Sequence, residues 1–346
     1  MNLSDINKTA DYLRLFASTM GVSGNEKAVT SLFEKLVVPY VDEVNYDALG
    51  NLIAHKNGKG KKVMIVAHAD EIGFIVKYVD DKGFAYIQAV GGVDASILPG
   101  RELVFKTPDG NEAIGVIGKL PIHLQDNEKP KCIECSDLCV DFAIGVDDHE
   151  VPMVDVGCYA SFLPNFTQMA DGTVKSKALD DRSGLVVLLE LAESVSKKSL
   201  DYDLYLVCSV QEELGARGAR TVAAAIHPDI AIAIDVTHAT DYPGLSPTKY
   251  GDIKIGKGCV VTYGPNINQE LNKELIGAAQ RCNAKIQKEA NPMPTGTDIN
   301  PIQICCQGVK TALVSIPCRY MHTPVEMIST KDIKSAKDML TEFLIK

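Results

Sequence analysis

The chain has 346 residues, a formal net charge of −10, 46% hydrophobic and 23% charged residues, 10 cysteines and no tryptophan. That balance is ordinary for a globular protein with a sizeable core. The acidic excess argues against nucleic acid as a partner, because a phosphate backbone needs a basic face, and no stretch approaches the ~20 apolar residues that span a bilayer.

The opening MNLSDINKTADYLRLF has no basic segment followed by an apolar run. No secretory signal is read there, and the expected compartment is the cytoplasm. Apolar spacing predicts amphipathic helices over 8–20 and 25–39, separated by Gly21-Val22-Ser23-Gly24, with Ser23 or Asn25 as a candidate cap for the second. Short strands follow in VDEVNYDA, NLIAHKN and KKVMIVAHA; the continuous apolar run 63–67 predicts a strand buried on both faces.

Between about 72 and 165 the texture changes. GFIVKYV, FAYIQAV, ELVFKT, AIGVIG and MVDVG alternate with Gly, Pro and Asp turns, which predicts a small β-barrel or sandwich. Cys132, Cys135 and Cys139, near His123 and Cys158, carry C-x-x-C-x-x-x-C spacing. A structural zinc site needs a fourth ligand that no second C-x-x-C supplies, so reduced thiols are the preferred reading. After 166 the βα alternation resumes: helices over 182–196, 216–226, 269–282 and 331–344, and strands over 204–210, 230–236 and 309–316. The whole predicts an α/β fold, a mixed sheet with helices on both faces, interrupted by a small β-barrel. The expected domains are 1–72 with 166–346, and an inserted unit over 73–165.

Five segments place acids or histidines at strand ends or helix starts, where open α/β sheets bind ligands. His68 and Asp70 follow the buried run 63–67, and alternation turns them the same way. Asp180 and Asp181 open a helix, where the bland alternative is a cap or dipole partner. Glu212 and Glu213 leave the strand 204–210, Asp235 ends an apolar strand, and His322 lies in IPCRYMHTPVE. Each is weak alone. Together they suit two divalent cations sharing a carboxylate.

AHADEIG, ALDDRSG, QEELGARGA, AIDVTHATD and IPCRYMHTPVE, in this order and spacing, resemble the glutamyl, or tetrahedral, aminopeptidase family of co-catalytic metallopeptidases. The resemblance spans essentially the whole chain. It implies His68 and Asp235 on one metal, Glu213 and His322 on the other, and Asp180 bridging. It further implies Glu212 as general base, Asp70 orienting His68, and a cis Asp180–Asp181 peptide. Histidine with carboxylate suits zinc first, with cobalt and manganese as alternatives. The implied substrates are peptides, and the implied partners are copies of the chain, dimers joined through the β unit into a dodecamer.

Some positions are looser. Thr295, Thr297 and Asp298 resemble a substrate-pocket loop, with helix capping as the alternative. Tyr263 stands where many relatives have arginine, and Cys318 and Ala216 occupy variable motif positions. Arg217 and Arg220 near the glutamate pair would favour acidic substrates, although helix-face arginines are usually solvated. Competing functions are an endoglucanase, the label some relatives carry; a metal-dependent carboxypeptidase or deacylase; and a non-catalytic binding protein. A glycosidase needs two carboxylates and no metal, and the missing tryptophan removes the usual sugar-stacking residue.

Overall fold

A computed structural model describes residues 3–124, 133–143 and 154–345. Its central sheet has eight strands. In spatial order they are Glu43–Tyr46, Leu52–Lys56, Asp203–Ser209, Lys62–His68, Ile230–His238, Lys310–Cys318, Cys259–Tyr263 and Ile286–Ala290. The four in the middle, from Asp203–Ser209 to Lys310–Cys318, run parallel. All four therefore end on one edge of the sheet.

Alternation along Lys62–His68 explains the layering. Val63, Ile65 and Ala67 face one side and pack with Leu13, Phe16, Phe33, Leu188 and Phe343 from flanking helices. Met64 and Val66 face the other side and pack with Val222, Ile226, Ile299 and Ile302. Both faces are covered, as a buried parallel sheet requires. The predicted α/β class with helices on both faces holds, and most predicted elements lie within a few residues of the observed ones.

The insertion is a closed six-stranded antiparallel barrel of Gly73–Val79, Ala85–Val90, Glu102–Lys106, Glu112–Ile117, Cys139–Asp141 and Tyr159–Phe162. Closure leaves no strand edge open. Phe74, Ile87, Leu103, Phe105 and Phe162 fill it, with Phe74 edge-on to Phe162 at 5.5 Å. Closure uses Cys139–Asp141 and Tyr159–Phe162; of the segment MVDVG, the described residues 154–157 form no strand, and Val156 and Gly157 lie in a turn.

One local expectation is corrected. Ser23 does not cap the second helix, which runs Lys27–Val37 after a Glu26 that makes no side-chain cap bond; the Ser23 hydroxyl donates instead to Asp70 Oδ2 at 2.6 Å. Cys132 lies outside the described residues. Cys135 packs against the barrel core, and neither it nor Cys139 joins a candidate metal-ligand group among the described residues.

Candidate metal centre

The site forms where the parallel strands end. His68 is the last residue of its strand and pairs in register with Ser209. Asp235 sits near the end of Ile230–His238, opposite Ser315. Past Ser209 the chain turns through Gln211, which is left-handed at φ 57, and presents Glu212 and Glu213. His322 follows Lys310–Cys318, also left-handed at φ 61. Regular helix after the Asp pair begins only at Arg182, because Asp180 and Asp181 have non-helical angles. Their peptide bond is cis.

These side chains converge. Asp180 divides its carboxylate: Oδ1 is 3.1 Å from His68 Nε2, and Oδ2 is 3.3 Å from His322 Nε2. Glu213 Oε1 is 3.2 Å from His322 Nε2, and Asp235 Oδ1 is 3.9 Å from His68 Nε2. Two sets of candidate ligand atoms result, one of Asp180, Glu213 and His322 and one of His68, Asp181 and Asp235.

Both histidines have their tautomer fixed by a main-chain carbonyl. His68 Nδ1 lies 3.2 Å from Asp70 O, and His322 Nδ1 lies 2.9 Å from Gly92 O. A carbonyl only accepts, so each Nδ1 donates to it, and each Nε2 is the ring nitrogen left facing the cluster. Gly92 belongs to the barrel side of the chain; a Cβ there would stand 3.0 Å from His322 Nδ1.

The loop after Ser209 is held amide by amide. Val210 N–H donates to Asn51 Oδ1 at 2.9 Å and Gln211 N–H to Glu26 Oε1 at 3.1 Å. Glu212 and Glu213 N–H donate to the two oxygens of Asp70, each at 3.0 Å. A chain leaving a sheet loses its ladder partners, and these four side-chain acceptors replace them. Asp70 thus anchors both glutamates, while its Oδ1 is 3.5 Å from His68 Nδ1. Glu326, fully buried, accepts from the amides of Asp180 and His322 at 3.1 and 2.8 Å. The helix after the loop approaches at Gly218, where a Cβ would meet Asn51 Oδ1 at 2.2 Å and Val210 O at 2.3 Å. Gly218→Ala should therefore lower stability by roughly 1–3 kcal/mol, as overpacking does, and reduce activity with it. A thermal melt within 1 °C of wild type and unchanged turnover would contradict this account of the loop.

The electrostatics are dominated by buried negative charge. Burial, reinforced by Asp235, Asp298 and Glu213, pushes Glu212 up to about 10. Burial likewise raises Asp181, Asp235 and Glu213, and takes Glu326 to about 8. Hydrogen bonds that His322 donates to Asp180 and Glu213 raise it to about 11. Burial would raise Asp180 too, but hydrogen bonds from His322 and His68 hold it below the usual carboxylate range. Two histidines cannot offset this many carboxylates, so the donor set calls for cations. Asp181 adds a direct sign: it is fully buried, Oδ1 accepts from Gly184 N–H at 2.8 Å, and Oδ2 has no hydrogen-bond partner among the described residues. These features are compatible with two divalent cations.

A cavity of about 290 Å³ opens on the cluster; Glu212 and Glu213 line it at one end, and Thr295, Gly296 and Thr297 elsewhere. Asp298 does not cap the next helix; its carboxylate accepts from Ser209 Oγ, and burial takes it to about 6. Arg217 and Arg220 are exposed and are not among the lining residues. Their solvated reading is the one that holds. Sequence reasoning singles out Asp180 of the Asp pair as the bridge and misses the site parts played by Asp181, Glu326, Glu26 and Asn51. The second aspartate of ALDDRSG and the final glutamate of IPCRYMHTPVE were the only signals for the first two.

An open α/β sheet with acids and histidines gathered at its carboxyl edge, joined to a small barrel, is an arrangement shared with aminopeptidase hydrolases. The chain belongs to the M42 glutamyl aminopeptidase family, whose profile matches residues 50–339. It is similar to the lysyl aminopeptidase of Pyrococcus furiosus, 38% identical over 342 residues covering 96% of each chain. A solved aminopeptidase from Desulfurococcus kamchatkensis superposes with a TM-score of 0.90 at 30% identity, over 99% of this chain and 95% of that one. The TET1 peptidase of Pyrococcus horikoshii, which can assemble into a tetrahedron or a large octahedral shell, gives a TM-score of 0.86 at 28% identity, over 98% and 99%. Among the described residues no helix is long and apolar enough to cross a membrane.

Proposed function

We propose that the chain is a two-metal aminopeptidase in which His68 and Asp235 would hold one cation, Glu213 and His322 the other, and Asp180 would be shared between them. The observation that carries this reading is the divided Asp180 carboxylate, one oxygen toward each histidine. Bound divalent ions, zinc first and cobalt or manganese as alternatives, would supply Lewis acidity at the scissile carbonyl and lower the pKa of an attacking water. Glu212 takes the proton from that water and returns it to the departing amine. Its side chain lines the cavity, while its amide is pinned by Asp70. Asp70 also orients His68, through its carbonyl and at 3.5 Å through its carboxylate. Asp181 Oδ2, beside His68 and Asp235, is a further candidate donor at the first cation.

The reading requires a free α-amine on the substrate. Aminoacyl p-nitroanilides should be cleaved by the metal-loaded chain, and their N-acetyl counterparts at least about 10²-fold more slowly. Equal rates on both would point to a deacylase or an endopeptidase instead. The family description names glutamate and the Pyrococcus relative lysine, so kinship alone sets no first-residue preference.

Residues 73–165 act in this proposal as a dimerisation domain, separate from the catalytic domain of 1–72 and 166–346, in a cytoplasmic tetrahedral dodecamer. Support comes from the outer face of the barrel. Along Glu112–Ile117 the outward positions include Ile114 and Val116, 55% and 43% exposed, where a solvated barrel would carry polar residues. The wild-type chain should therefore run as a large assembly in light scattering, and Ile114→Glu with Val116→Glu should yield smaller species. A monomeric wild type at micromolar concentration with metal present would overturn this part.

A further inference from the structure

We propose that Glu289 selects substrates whose first residue is cationic, lysine or arginine. This rests on the aminopeptidase reading above and adds the substrate class. Glu289 lies on the edge strand Ile286–Ala290, whose alternation turns Glu289 and Asn291 toward the cavity while Lys288 is exposed. It belongs to neither candidate ligand set. Its Oε2 accepts from Thr237 Oγ1 at 2.9 Å. Thr237 stands two residues beyond Asp235 on the same strand, roughly 7 Å along it. A substrate amine and carbonyl held at the cations thus leave about one long side chain's length to the Glu289 carboxylate.

That carboxylate lacks a cation of its own. Among the described residues no lysine or arginine forms an ion pair with Glu289, and none lines the cavity. Lys254 and Arg319 are paired elsewhere, with Asp252 at 2.8 Å and Asp241 at 2.7 Å. Glu289 is half-buried, and an incoming ammonium or guanidinium would add a charge-assisted hydrogen bond to its carboxylate beside that from Thr237. Thr262 and Met321 line the same cavity and offer carbon surface to the stem of lysine or arginine. An acidic first residue would meet Glu289 with no counter-charge.

The test is kcat/KM for the metal-loaded full chain on Lys, Arg, Met, Leu and Glu p-nitroanilides. Lysine and methionine are similar in length, so their ratio isolates the charge. Wild type should favour Lys over Met by at least about tenfold, the size of one charge-assisted hydrogen bond, with the ratio falling as salt rises. Glu289→Gln should bring the ratio to near parity, and Glu289→Lys should favour Glu over Lys. Because each ratio is internal to one variant, partial loss of folded enzyme does not distort it. A wild-type ratio at or below one overturns the proposal, as does a Glu289→Gln ratio equal to wild type. So does a lysine preference seen only at the second residue of dipeptides. If the metal-loaded wild type cleaves none of the five, the aminopeptidase reading itself fails.

Discussion

We expect Glu212→Gln to lower peptide turnover by at least about 10²-fold while metal content stays near wild type. The amide keeps the shape of the side chain and leaves the Glu212 N–H bond to Asp70 untouched. It removes the one capacity the role demands, accepting a proton. Glu213→Gln should behave differently. Its Oε1 faces His322 Nε2 at 3.2 Å, inside a candidate ligand set, so that variant should lose metal as well as turnover. Metal analysis beside p-nitroanilide rates for the two proteins decides the matter. An active Glu212→Gln enzyme would show that the assignment of base and ligand is wrong, as would a Glu212→Gln variant that loses metal while Glu213→Gln keeps it.

Asp180→Ala should have the larger effect on the metals. Its two oxygens serve the two histidines separately, so removing it should empty both sites, whereas His68→Ala and His322→Ala should each weaken one. Activity should fall on the order of 10³-fold or more, since cations contribute several kcal/mol to such transition states. A chelator should do the same to the wild type, whereas an endoglucanase working through two carboxylates would be indifferent to it. Retention of both metals by Asp180→Ala, measured by elemental analysis, would contradict the bridging role.

Much of this site is legible in the sequence because strand ends punctuate it. An apolar run such as 63–67 announces a buried parallel strand, and His68 and Asp70 just beyond it fall where such sheets bind ligands. The barrel is legible as a break in periodicity. Other features depend on distant partners and leave little local trace. Ile286–Ala290 is an edge strand of largely polar residues, so its sequence carries no apolar–polar pattern to announce a strand, although its backbone alternates. Cys259–Tyr263 is buried, but so short that periodicity alone does not separate strand from helix. Asp181 does cap its helix, Oδ1 accepting from Gly184 N–H, but nothing local in the sequence shows its carboxylate also lying beside His68 and Asp235. The capture of successive amides by Asn51, Glu26 and Asp70 joins residues more than 140 positions apart. The Gly92 carbonyl that sets the His322 tautomer comes from 230 positions away.

The central claim is that this carboxylate-rich cluster is an aminopeptidase centre because it holds two cations. The most direct measurement is a titration of the chelator-stripped full chain with zinc, cobalt or manganese, following aminoacyl p-nitroanilide hydrolysis and bound metal together. Activity should be absent at the start, rise with added metal, and reach its plateau at about two equivalents per chain. Full hydrolysis before any metal is added, or two bound equivalents with no hydrolysis of any aminoacyl substrate, would contradict it.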